Sequence, residues 1–283
     1  MNDEQRAAIE VLAAKIRRDV LEMLLPLGSG HLGGSFSIAD VLAVLYGKRL
    51  RYDASDPLWD ERDRVVLSKG HAGPALYAAL AECGFIDHEE LLTLNRPHTN
   101  LPSHPDRLKT PGVDMTTGSL GQGTSTAAGI ATALRLKGSE ARVFVIVGDG
   151  ELNEGQCWEA FQYIAARRLE NCIVIIDENK KQLDGYTAEV MDPFCIADKM
   201  RAFGFATQCV NGQDVVAVDA AIEIARRTGG QASAIVLETV KGAGVPYFEQ
   251  LKDNHSVKFN AEAEQAAHRA IDELNAAIEG GAQ

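Results

Sequence analysis

Two short, unbroken apolar runs constrain the fold of this chain more than any other feature: Val143-Phe144-Val145-Ile146-Val147 and Cys172-Ile173-Val174-Ile175-Ile176. Runs this rich in Val and Ile, and this short, predict strands covered on both faces, as in a parallel sheet. The stretch between them is long enough for a crossover helix, so the unit reads as βαβ. Ligands of such sheets collect at the carboxyl ends of the strands. Gly148-Asp149-Gly150 follows the first run and Asp177-Glu178-Asn179 closes the second. Asp149 offers a carboxylate and Asn179 a neutral oxygen, a donor pair that suits a hard cation such as Mg²⁺ together with phosphate oxygens. Gly148 and Gly150 let a phosphate approach the backbone, and the following helix presents its N-terminus to that anion. The pattern predicts a site for a metal and a phosphate.

The rest of the chain fits a soluble α/β protein. At 283 residues there is ample core for one large domain or two small ones, and 46% hydrophobic with 24% charged residues is a globular composition. No apolar run approaches the roughly twenty residues of a membrane span. The opening MNDEQRAAIE is polar and helix-prone, without a basic and apolar leader, so a cytoplasmic location is expected. A net charge of −12 leaves no basic surplus for nucleic acid. The five cysteines have neither metal-ligand nor redox spacing and are expected as reduced core thiols.

Read in order, Ile9, Leu12, Ala13, Ile16, Val20 and Leu24 recur at helical spacing and predict an opening amphipathic helix that Pro26 and Gly28 end. Next, His31 lies among glycines, and Ser37 is expected to cap a helix from Ile38 to Gly47. Arg64 to Pro74 reads as a short strand, a turn and a new helix, which puts His71 of Ser68-Lys69-Gly70-His71 at a carboxyl strand end. A Gly, Ser and Thr-rich loop from Thr116 to Thr126 precedes an alanine-rich helix. Beyond Gly185 the pattern predicts helix 193–202, strand 205–210, helix 215–227 and strand 234–239. A loop around Lys241 and His255 and a final amphipathic helix over about 261–278 follow. The expected architecture is α/β, a parallel sheet of at least five strands with helices on both faces. It reads as one domain over 1–283, its end from about 240 a loop and a docking helix.

The ordered set HLGG, SKGH, SHPD, TGSLGQG, GDG with Glu154, DENKKQLDG and VKGAGV resembles the transketolase family along nearly the whole chain. Departures are Leu32 and Ser119 where the family usually has Pro, Ser103 where it has Gly, and NHS around His255 where split forms show WHG. The resemblance implies the thiamine diphosphate-binding (PP-domain) fold, with Mg²⁺ held by Asp149, the Asn179 side chain and the Lys181 carbonyl. His71 and Gly150 would hold the diphosphate. Gly118, Ser119 and Leu120 would lie against the aminopyrimidine. His31, His104 and His255 would face the sugar, His255 touching the cofactor too, and Glu154 would be an interface acid.

Only the diphosphate-binding half of transketolase is matched. The implied protein is therefore the N-terminal subunit of a split transketolase in an α₂β₂-like assembly. A separate pyrimidine-binding C-terminal subunit would supply a catalytic glutamate, and pentose phosphates are the default sugars. A 1-deoxyxylulose-5-phosphate synthase-like enzyme, a non-catalytic regulatory subunit of the same fold and a 2-oxo-acid dehydrogenase α-like subunit stay open.

Overall fold

A computed structural model of the chain describes residues 1–281; the last two positions of the expected domain lie outside the described residues. Five strands form one fully parallel sheet: β1 (Arg64–Leu67), β2 (Val143–Gly148), β3 (Cys172–Glu178), β4 (Ala206–Asn211) and β5 (Ser233–Glu238), in the order β1-β2-β3-β5-β4. The two apolar runs are neighbours, with Val143 opposite Cys172 and Gly148 opposite Asp177.

The pleat sorts the strand residues strictly by parity. Phe144, Ile146, Ile173 and Ile175 belong to one apolar layer, whereas Val143, Val145, Val147, Cys172, Val174 and Ile176 belong to the other. Both faces are dry, which is why these strands read as continuous runs rather than alternating ones. The first layer is completed by α1 (Asp3–Leu24), α2 (Ala39–Val44), α3 (Gly73–Glu82), α7 (Val215–Arg227) and α8 (Ala261–Gly281). The second is completed by α4 (Gln122–Leu136), α5 (Gly155–Ala166) and α6 (Ile196–Ala202).

Local signals account for several boundaries. Asn2 and Gln5 form a reciprocal capping box at the start of α1, and Asp214 caps α7 through Val216 and Ala217 N–H. Helix α8 buries Ala263, Ala266, Ala267 and Ala270, and it packs along α1. No helix among the described residues is long and apolar enough to cross a membrane.

Four local expectations change. Ser37 does not cap the helix that follows; its hydroxyl donates to Asp177 Oδ2 at 2.7 Å, and the helix starts at Ala39 from an uncapped Ile38. That helix ends in a wide π-type turn over Leu45–Arg49. The helix expected from Pro193 starts at Ile196, because Phe194 takes a left-handed φ of 51°. Of the five thiols, Cys157 and Cys172 are buried, but Cys195 and Cys209 are exposed.

Candidate active site

A cleft of ≈ 370 Å³ opens at the carboxyl ends of β1, β2 and β3. Each strand contributes the loop that follows it: Lys69 and His71 after β1, Asp149 and Gly150 after β2, Asn179 and Lys181 after β3. Three further loops close it with His31, with His104, Gly118 and Leu120, and with Lys241 and His255. Of the residues expected at the site, only Ser119 is not part of the lining; it is exposed, and its carbonyl accepts from Gln122 N. Glu154 lies at the rim and is exposed.

The loops are stitched across the sequence. Ser29-Gly30 pairs antiparallel with Val257-Lys258, and Gly33 N–H donates to the Asn254 carbonyl at 3.0 Å. These contacts bring His31 beside His255. Four imidazoles then form one wall: ring centroids are 5.4 Å apart for His31 and His255, 4.6 Å for His71 and His255, 5.8 Å for His31 and His71, and 5.6 Å for His31 and His104. At Gly118, with φ 145°, a side chain would run within 3.1 Å of the His104 ring, so only glycine lets the TGSLGQG loop lie against it.

Burial, reinforced by neighbouring cations, keeps these histidines neutral. It lowers His31, with help from His104 and Lys241; it lowers His71, with help from Lys69; and it lowers His104 alone. His255 is lowered to about 3 by burial and then by Lys241. Lys241 Nζ lies 3.2 Å from His255 Nδ1 and donates to the Lys181 carbonyl at 2.9 Å. An ammonium donates and never accepts, so His255 accepts at Nδ1 and carries its proton on Nε2. A neutral imidazole with its donor fixed in this way can give a hydrogen bond to a substrate oxygen.

Asp149 is 2% exposed. Its carboxylate takes only backbone donors, Gly150 N–H at 2.8 Å and Lys180 N–H at 2.6 Å. No cationic side chain among the described residues pairs with it, and burial, then the nearby Asp177 charge, push it up to about 7. A buried carboxylate without a counter-ion, next to the amide oxygen of Asn179, is a hard-oxygen donor set that fits Mg²⁺. The Lys181 carbonyl already accepts from Lys241, which leaves its second lone pair for a metal.

Four charged residues at the site escaped the sequence reading. Asp177, fully buried, takes Lys69 Nζ at 2.6 Å, Asn179 Nδ2 at 2.8 Å, Ser37 Oγ and Thr239 Oγ1. Burial alone would raise it, but the Lys69 ammonium and these donors prevail and hold its carboxyl below the ordinary range. Buried Glu151 accepts from Ser68 Oγ, from Gly121 N–H at 2.8 Å and from Gly148 N–H at 3.1 Å, which ties the TGSLGQG loop to the GDG turn. Lys69 and Lys241 are the other two. Their signals were adjacency: Lys69 two before His71, Asp177 two before Asn179, Glu151 beside GDG, Lys241 in VKGAGV.

Residues 9–273 match the family described as transketolase, thiamine diphosphate binding domain. The 6-deoxy-6-sulfo-D-fructose transketolase subunit of Clostridium sp. is 47% identical over 93% of this chain and 96% of its own length. One subunit of the apulose-4-phosphate transketolase of Actinobacillus succinogenes is 37% identical over 94% and 96%. Among solved structures, transketolase from Campylobacter jejuni superposes with a TM-score of 0.85 at 28% identity, covering 99% of this chain and 47% of that one. The chain thus spans about half the length of the solved transketolases it matches.

Proposed function

The chain belongs to the transketolase family, as a counterpart of its thiamine diphosphate-binding part, and on that premise we propose that it is the N-terminal subunit of a two-chain, Mg²⁺-dependent transketolase. The observation that carries this reading is the meeting, in one cleft, of an unpaired buried carboxylate with a wall of four neutral histidines. The first feature calls for a cation with phosphate, and the second for a substrate rich in hydroxyl and carbonyl oxygens. Two relatives named as transketolase subunits, each covered over 96% of its length, support a separate partner.

Thiamine diphosphate, when bound, would supply the nucleophilic carbon that takes the two-carbon ketol unit from a ketose and passes it to an aldose. Asp149, the Asn179 oxygen and the Lys181 carbonyl would hold Mg²⁺. Gly150 N–H and His71 would take the diphosphate, with the ammonium groups of Lys69 and Lys241 close by to offset its charge. Gly118 and Leu120 would lie against the aminopyrimidine. His31, His104 and His255 would donate to sugar oxygens and move protons there, His255 through Nε2.

Glu154, exposed at the rim, would meet the pyrimidine-binding subunit, which supplies the glutamate for cofactor activation in an α₂β₂ assembly. We take residues 1–283 as one functional domain working in the cytoplasm. The donor is a ketose with an anionic far end, and the named relatives make 6-deoxy-6-sulfo-D-fructose the first to try, ahead of xylulose 5-phosphate.

The test is to isolate the chain from its host with whatever co-purifies, and to assay ketol transfer with Mg²⁺, thiamine diphosphate and either donor. Transfer by the pair of subunits and none by the isolated chain is the expected result. Full activity of the chain alone, or none with any partner and donor, would overturn the reading.

A further inference from the structure

The two ends of an asparagine amide have nearly the same shape but opposite polarity. A metal site that uses Asn179 works only if the oxygen, not the NH₂ group, faces the cation. Asn179 cannot choose this for itself, because its own torsion admits both orientations at similar steric cost. Something beside it must distinguish the two ends.

Lys181 N–H does so from one side, and a second distinguishing neighbour, a buried one, is at the end of the same strand. Asp177 Oδ2 lies 2.8 Å from Asn179 Nδ2, and the same oxygen takes Lys69 Nζ at 2.6 Å and Ser37 Oγ at 2.7 Å. Oδ1 is engaged by Thr239 Oγ1. Three further elements therefore clamp the carboxylate: the turn after β1, the turn before α2 and the end of β5. A carboxylate paired with an ammonium only accepts, so the amide end it contacts must be NH₂. Turning Asn179 over would set its oxygen against Asp177 and its NH₂ group against Lys181 N–H, so both hydrogen bonds would be lost.

The opposite end then faces the metal site. Asn179 Oδ1 accepts Lys181 N–H at 3.1 Å, while Lys180 N–H, one residue earlier, binds Asp149 Oδ2 at 2.6 Å. One turn thus carries Asn179 and binds Asp149, and Asn179 Oδ1 keeps a lone pair for a cation. We propose that Asp177 is a positioning residue that fixes the rotation of the Asn179 carboxamide, so that oxygen is presented beside Asp149. Lys69, Ser37 and Thr239 act one step further out, by immobilising Asp177. The inference rests on the metal reading above and adds a residue outside the expected donor set.

The experiment measures Mn²⁺ binding by the loss of the free-ion EPR signal, on the chain assembled with its partner and thiamine diphosphate. Asp177→Leu removes the acceptor at similar shape, so this position no longer sorts the amide of Asn179; a carboxamide would not serve, because Lys69 and Ser37 would hold its oxygen where Oδ2 now lies. Mn²⁺ affinity is expected to fall about 10–100-fold, the usual effect of removing an outer hydrogen-bond partner of a ligand. Adding Asn179→Asp to that variant is expected to return affinity to within about threefold of the parent, because a carboxylate presents oxygen at both ends. This double variant conserves total charge and keeps a carboxylate near Lys69, so it decides the question even if Asp177→Leu alone does not fold.

Unchanged affinity in Asp177→Leu, or a double variant that binds weakly, would overturn the proposal, since Asp177 would then serve only as the partner of Lys69. A parent assembly that does not bind Mn²⁺ would overturn the metal reading itself and this inference with it.

Discussion

Two clusters of donor groups in this molecule look alike as ligand sets and differ in their counter-ions. Asp19, Glu82 and His88, from α1, α3 and the turn after it, bring three donor atoms within 4.8 Å of one another. Asp149 and Asn179 lie at the ends of β2 and β3. In the first group Arg18 binds Asp19 at 2.7 Å and Glu82 at 3.2 Å, and Lys15 binds Glu82 at 2.8 Å. Two acids already meet two bases there. Burial raises Asp19 to about 6 against the pull of Arg18, and burial with Asp177 raises Asp149 to about 7 with no paired cation to oppose it. Charge balance, not donor spacing, separates a closed ion-pair network from a buried carboxylate left without a counter-ion.

The largest expected effect tests that distinction directly. Asp149→Ala should weaken metal-dependent thiamine diphosphate binding by the assembled protein at least ~1,000-fold, or ~4 kcal/mol, whereas Asp19→Asn should leave it within about twofold. Calorimetric titration of the cofactor reads both. Comparable losses from the two variants would break the comparison.

A second effect lies in the pH dependence of stability without metal. The value of Asp149 in the fold, about 7, is above the ordinary 3.8. Its protonated form therefore supports the fold fully below about pH 4, and that support drains away as pH rises through about 7, by about 4 kcal/mol in full. Urea unfolding should show the parent losing ground to Asp149→Asn over this window, and Mg²⁺ with thiamine diphosphate should cancel the trend. A constant difference from pH 4 to 8 would mean that Asp149 is not the uncompensated charge it is taken to be.

The smallest effect sharpens the comparison from the other side. Arg18→Met leaves Asp19 without its guanidinium, at a cost of about 2 kcal/mol, below the range for a fully buried pair because Arg18 is partly exposed. The same change opens Asp19, Glu82 and His88 to a cation. Added Zn²⁺ should then raise the melting temperature of the variant and leave that of the parent unchanged. A variant indifferent to Zn²⁺ would show that geometry, not charge, keeps the metal out.

Much of this was legible because it is written locally. The strands β2 and β3 follow from unbroken Val and Ile, and α7 from its apolar period between Asp214 and Arg227. His31, His71 and Asp149 were visible because glycine-rich turns mark their loops, whereas His104 and His255 were found through the family resemblance. What stayed hidden depends on distant partners. Ser37 has the composition of a cap, yet its hydroxyl goes to Asp177, far away in sequence. Asp177 and Lys69 read as polar strand ends because nothing local says that they pair. The short helix Pro246–Gln250, packed through Phe248, was read as loop because Gly and Pro surround it.

The antiparallel contact of Ser29-Gly30 with Val257-Lys258 sets a timetable for biosynthesis. A chain still leaving the ribosome holds His31, Asp149 and Asn179 long before His255 and its partner strand exist. The histidine wall can be completed only after Val257-Lys258 has emerged and met Ser29-Gly30, a closure that is entropically slow. A product truncated before Val257 would keep Asp149, Asn179 and His255 but lose the strand contact that sets His255 beside His31.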